Sequence, residues 1–343
     1  MISVARISLL LAALLTGSAW CSLALADEFA VKGNFDFKKK KGPNLSGLEC
    51  LDPRPDSTEI CLAVDDEMNS VQFAELQGLT LIPGAKEKVF EDNRPVVGQP
   101  PHLLLNLPGL NCSVGADGDE LDGEAIAHLD NVFYVVGSQG CSKTGKYRPE
   151  TFFLAKFTVD ADGEITDSAV SYRLSEAIMT DAALAKAFGT DLPGGSSVEG
   201  LAAANGKLFV GFRSPADPGA VILEVPADAL FSKDGSIVAK DIKRHDVPLG
   251  KHIGFRDLEA LDDGNFLALT GPDGEPTSDG PYALQLLSST FETKGDAVPV
   301  PVTDDGSPEA VEALGTITDG RMRVVVLFDG GPNGGPELFD IAQ

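Results

Sequence analysis

Glu199-Gly200-Leu201 opens the stretch that decides the fold. An apolar run follows from Lys207 to Phe212, then the turn Arg213-Ser214-Pro215, then a second apolar run from Ala220 to Val225. Val, Ile, Phe and Leu dominate both runs and turn residues bound them, as strands require. The opening phrase recurs as Ser46-Gly47-Leu48, Glu124-Ala125-Ile126, Glu259-Ala260-Leu261 and Glu312-Ala313-Leu314. In chain order these anchors lie 78, 75, 60 and 53 residues apart. That is too irregular for a solenoid, but it suits propeller blades of about 40 to 50 residues carrying loop insertions.

The other anchors lead into the same series of events. Second strands are predicted at Ile60 to Val64, Val132 to Val136, Phe266 to Leu269 and Val324 to Phe328. Turns follow at Asp65-Asp66-Glu67, Gly137-Ser138-Gln139, Thr270-Gly271-Pro272 and Asp329-Gly330-Gly331, and third strands at Val71 to Leu76, Phe152 to Val159, Tyr282 to Leu287 and Glu337 to Ile341. His102 to Leu107 and Val298 to Val302 read as outer strands, and Asp181 to Phe188 as one helix in a surface insertion. The expectation is an all-β propeller of five blades, with six as the alternative count. Phe29 to Phe37 is expected to pair with the last repeat and close the ring, which would remove an exposed sheet edge.

Composition agrees. The chain has 343 residues, 43% hydrophobic and 7% aromatic, with 37 Gly and 22 Pro, a balance for short strands and turns over long helices. Against 27 Lys and Arg stand 52 Asp and Glu, a net charge of −25 that argues against nucleic-acid binding. The Lys38 to Lys41 run then reads as a solvated loop. Arg6, the apolar run from Leu9 to Leu15 and Ala24-Leu25-Ala26 form an export signal, residues 1–26, leaving 27–343 as a single propeller domain in the periplasm or outside the cell. No later apolar run approaches the roughly 18 residues of a membrane span. Cys50, Cys61, Cys112 and Cys141 remain after cleavage, and an oxidising compartment predicts two disulfides; three connectivities are open, of which Cys50 with Cys61 and Cys112 with Cys141 is preferred because each pair brackets a single candidate hairpin. A zinc site is disfavoured, because the cysteines lack short C-x-x-C spacing.

In an antiparallel blade the start of the innermost strand lies beside the end of the second. Anchors and second-strand turns should therefore meet at one channel mouth, lined by Glu124, Glu199, Glu259 and Glu312. Asp65, Asp66, Glu67, Ser138, Arg213 and Asp329 should lie close by, with Arg256 and Asp257 joining them. Carboxylates gathered around one axis need compensation. One reading is a divalent cation such as calcium, held by Glu199, Glu259 and Glu312. The favoured reading is structural, each anchor Glu accepting hydrogen bonds from a neighbouring blade. The acidic loop Asp117 to Glu124 lacks the EF-hand order, and Asp160, Asp162 and Gly163 read as a hairpin turn. No H-E-x-x-H, G-x-S-x-G or Walker pattern occurs.

These phrases resemble the bacterial domain-of-unknown-function 3616 family. The likeness rests on Leu45-Ser46-Gly47-Leu48 with Asp65-Asp66-Glu67, Glu124-Ala125-Ile126-Ala127 with Tyr134-Val135-Val136-Gly137-Ser138, Glu199-Gly200-Leu201 with Arg213-Ser214-Pro215, and Arg256-Asp257-Leu258. That family tends to carry His after the Gly-Ser pair, where this chain has Gln139. The resemblance implies a propeller-like fold and no established activity. A more distant likeness to esterase-like phytase and SdiA-regulated propellers implies calcium and, for the first, phosphoester hydrolysis. The expected role is binding of a small ligand or divalent cation at the mouth by a monomer. The alternatives are a metal-dependent phosphoesterase or lactonase-like hydrolase, with Arg213 or Arg256 as oxyanion clamp, and a protein-interaction platform.

Overall fold

The computed structural model describes residues 28–37, 40–41, 44–101, 112, 121–141, 145–189, 195–233, 237, 239–274, 281–304, 306–317 and 320–342. They form a five-bladed β-propeller. The innermost strands are Leu45–Cys50, Gly123–Leu129, Ser197–Ala204, Ile253–Ala260 and Pro308–Ile317, one per blade. Each packs on the next around the axis, and the fifth returns to the first. From the inside out, blade 3 runs Ser197–Ala204, Lys207–Ser214, Ala220–Pro226 and Lys243–Val247, all antiparallel.

The second strands read as unbroken apolar runs because a neighbouring blade covers each of their faces. In Lys207–Ser214, Leu208, Val210 and Phe212 pack with blade 2, whereas Phe209 packs with blade 4. Gly211 completes that face, since a Cβ there would meet the Phe255 ring at 3.1 Å.

Ring closure differs from the sequence expectation. Ala30–Val31 pairs in parallel with Thr80–Leu81 on the outer edge of blade 1, and no described residue adds a fourth strand to blade 5. The N-terminal arm instead acts as a wedge. Phe29 and Phe35 are buried against Leu45, Leu48 and Leu327, where blades 1 and 5 meet. The amide of Phe35 donates to Asn333 Oδ1 at 2.9 Å, and Asn333 Nδ2 donates to the carbonyl of Gly33 at 3.2 Å. Burial of two aromatic side chains in that seam is the apolar term that holds the wedge.

Smaller departures have local causes. Ala182–Ala187 is helical and Asp181 caps it by accepting from the amides of Ala183 and Leu184, but the segment is no surface insertion: Leu184 and Phe188 are fully buried in the core between blades 2 and 3. Short helices also form at Arg173–Ile178 and Ala227–Phe231. Lys40–Lys41 pairs with Asp36–Phe37 rather than lying in a loop, and the outer strand of blade 4 is Thr293–Pro299. His102 to Leu107, most of the acidic loop from Asp117 and the expected export signal lie outside the described residues. No helix among the described residues is long and apolar enough to cross a membrane.

Both disulfides form as expected, Cys50–Cys61 across the first two strands of blade 1 and Cys112–Cys141. Their sequence separations are 11 and 29 residues. Replacing either pair by Ser should lower stability by roughly 3 kcal/mol, the longer loop costing more, as urea unfolding would show. Midpoints matching the parent protein would contradict this.

Candidate functional site

All five innermost strands carry a β-bulge at the same place. Ladder register skips Ser46, Glu124, Glu199, Arg256 and Glu309, one per blade. A bulge leaves one residue unpaired and re-aims its side chain. The five bulged residues form an upper tier at the end of the channel where the second strands finish, as pairs such as Leu45 with Asp65 and Ser197 with Ser214 show.

This tier corrects the repeat alignment. In blades 1 to 3 the anchor phrase begins on the bulge. In blades 4 and 5 the bulge falls on Arg256-Asp257-Leu258 and Glu309-Ala310-Val311, three residues before the Glu-Ala-Leu phrases. Glu259 and Glu312 thus belong to a lower tier whose equivalents are Glu49, Ala127 and Ala202.

Lower-tier carboxylates stitch blades together. Glu259 Oε2 accepts from the amide of Ala313 at 2.9 Å, and Glu312 accepts from the amide of Cys50. Glu49 meets His128 Nδ1 of blade 2 at 2.6 Å. Asp257 lies off the mouth as well, with Oδ2 accepting from the amide of Val311 and Oδ1 from that of Leu258. Burial raises Glu259 and Glu312 well above the usual carboxylate range, and the other lower-tier carboxylates add to it. Glu199, Glu259 and Glu312 therefore do not meet as one triad. Among the described residues, no three His, Cys, Asp or Glu side chains are disposed to hold a metal ion.

At the mouth, charge alternates along a buried chain. Arg213 Nη1 pairs with Glu199 Oε1 at 2.9 Å, and Arg256 Nη1 pairs with Glu199 Oε2 at 2.8 Å. Arg256 Nη2 continues to Glu309 Oε2, and Arg213 also donates to the carbonyls of Pro272 and Gly274. Burial pushes Glu309 up to about 7 in spite of Arg256 beside it. For Arg256, Glu199 and Glu309 outweigh burial and hold the guanidinium charged.

Glu124 stands outside this chain. It makes no hydrogen bond or ion pair among the described residues. Burial raises it well above the usual range, and Asp122, Glu199, Asp66 and Glu309 raise it further. Ser138 Oγ donates to Asp122, and the carbonyl of Ser138 accepts from the amide of Val198 in blade 3. Asp65 accepts from the amide of Glu67, and Asp329 lies near Glu309. Gln139 is wholly buried, its Nε2 donating to the carbonyl of Phe153 and its Oε1 accepting from Ser175 Oγ. It packs blade 2 and lines no site.

Of the sequence candidates, the structure gathers Glu124, Glu199, Arg213 and Arg256 with Asp66 and Asp329. Glu309 and Glu49 escaped the sequence reading. The 53-residue step from Arg256 to Glu309 could have revealed the first.

Residues 156–303 match the DUF3616 family, described as a protein of unknown function. The DUF3616 match runs from the third strand of blade 2 through blade 4, so it includes Glu199, Arg213 and Arg256 but not Glu124 or Glu309. No curated protein matches the chain. Similar solved structures include an endo-arabinase from Bacteroides thetaiotaomicron, at 9% identity over 88% of this chain and 95% of that one, with a TM-score of 0.44. An α-L-arabinofuranosidase from Fusarium graminearum shares 12% identity over 89% and 83%, with a TM-score of 0.42. A Bacteroides ovatus GH43B protein shares 13% over 88% of this chain, with a TM-score of 0.38, and the chain spans only 51% of its length.

Proposed function

We propose that the protein binds a small, positively charged ligand at the upper mouth of the channel, with Glu124 as its anchor. One observation carries this reading. Glu199, Arg213, Arg256 and Glu309 are ion-paired with one another, whereas Glu124 faces four carboxylates and makes no ion pair among the described residues. Burial and the neighbouring carboxylates favour the protonated form of Glu124 and a bound cation would favour the ionised form, so binding should be coupled to proton release.

Calorimetric titration with calcium chloride and with spermidine, each in two buffers of different ionisation enthalpy, tests this. At least one probe should bind with proton release, and Glu124→Gln should weaken it by tenfold or more while leaving the protein folded, with a melting temperature at or above that of the parent. Absence of binding by both probes, or undiminished binding to the variant, would overturn the proposal.

A further inference from the structure

Two Asn-Gly dipeptides occur in the chain, Asn205-Gly206 and Asn333-Gly334. Glycine has no side chain to shield its backbone nitrogen, so in this dipeptide that nitrogen can reach the asparagine side-chain amide. Both asparagines start from the same left-handed backbone, with φ of 52° at Asn205 and 57° at Asn333. They differ in how firmly each is held.

Asn205 and Gly206 form the two-residue turn between Ser197–Ala204 and Lys207–Ser214, and positive φ at both residues marks it as type I′. Asn205 is exposed, and its side chain makes no hydrogen bond among the described residues. The same is true of its carbonyl and of the Gly206 amide, the two polar groups of the peptide that must rotate. The carbonyl of Gly206 accepts from the amide of Ala227 at 3.0 Å, which fastens only the next peptide. A Cβ on Gly206 would meet nothing within 4 Å.

Asn333 is the opposite case. Its side chain is held at both atoms by the N-terminal arm, Oδ1 by the amide of Phe35 and Nδ2 by the carbonyl of Gly33. The amide of Gly334 donates to the carbonyl of Gly331 at 3.0 Å. Gly334 is also buried, and a Cβ there would meet Leu45 at 3.1 Å and Leu327 at 3.3 Å.

We infer that Asn205 is a site of spontaneous covalent modification from which Asn333 is shielded by the arm. The Gly206 nitrogen bonds to Asn205 Cγ, the side-chain nitrogen leaves as ammonia with the Gly206 amide proton, and a succinimide ring closes. Water then adds to either ring carbonyl carbon and the C–N bond at that carbon breaks, giving isoaspartate or aspartate. Each product adds one negative charge to a chain already at −25. Isoaspartate also inserts a carbon into the backbone of the turn that sets Ala204 opposite Lys207, in the two strands that carry Glu199 and Arg213.

The test incubates the full chain in mildly alkaline buffer, once folded and once unfolded in urea, and follows both dipeptides by peptide mapping with mass spectrometry. In the folded chain Asn205 should convert at least tenfold faster than Asn333. In urea the two should convert at similar rates, because the fold and not the flanking sequence separates them. Asn205→Gln, whose side chain would have to close a larger ring, should leave position 205 unmodified over the same period. Folded Asn333 converting as fast as Asn205 would overturn the inference, as would a tenfold difference that persists in urea or a folded Asn205 that never converts.

Discussion

Replacing Arg256 by Met should destabilise the protein by about 3 to 5 kcal/mol, the range for removing one partner of a buried ion pair. Arg256 is 3% exposed and bridges Glu199 to Glu309 across blades 3, 4 and 5. Without it, Glu309 loses its guanidinium, while Glu199 keeps only Arg213. Methionine fills much of the volume, so the loss is chiefly electrostatic. Adding Glu309→Gln to the Met variant should recover part of the stability, because it removes the stranded charge. Urea unfolding of parent, single and double variants measures both steps. A single-variant loss below about 1 kcal/mol, the scale of a surface ion pair, would show that the chain of charges is not what holds these blades.

Stability should fall as the pH rises from 5 to 8. Glu124, Glu259, Glu309 and Glu312 all have folded values above the usual carboxylate value, so the folded state holds protons that the unfolded chain has released. Where the native state binds more protons, unfolding becomes easier with rising pH. The loss begins near the unfolded carboxylate value and ends at each group's folded value. Glu309, at about 7, contributes roughly 3 kcal/mol by itself at about 1.4 kcal/mol per unit. His128 acts in the same direction, since Glu49 outweighs burial and raises it, and its contribution is lost as it deprotonates. Unfolding free energies measured at pH 5, 6, 7 and 8 should decline steadily, and Glu259→Gln and Glu312→Gln should each flatten the slope. A profile that rises over this range would contradict the assignment.

The fold was legible because its strands are buried on both faces. Runs such as Val132 to Val136 and Val324 to Phe328 admit few other readings, and the observed strands Val132–Gly137 and Arg321–Phe328 contain them. The tiers were less legible. Glu259 and Glu312 repeat the letters of the anchor phrase, yet they sit three residues along strands whose bulge lies earlier. A bulge inserts one residue without leaving a mark in the apolar pattern, so identity of letters outvoted register. The truncated last repeat points to Phe29 to Phe37 as its missing strand, whereas the arm pairs with blade 1 instead. Burial of Phe29 and Phe35 in a seam between blades gives no periodic signal.

The five bulges also set the rules by which this channel can change. Each bulged side chain sits outside the hydrogen-bonded ladder, so a substitution there asks nothing of the strand pairing beneath it. Ser46, whose hydroxyl donates only to the nearby carbonyl of Asn44, and Glu124 stand outside the chain of ion pairs and can be exchanged one at a time. Glu199, Arg256 and Glu309 are wired in series, and any exchange among them must conserve the alternation of sign. Diversification of the channel thus has two free positions and one coupled block, and libraries that respect this grammar should keep the ring intact while altering what it holds.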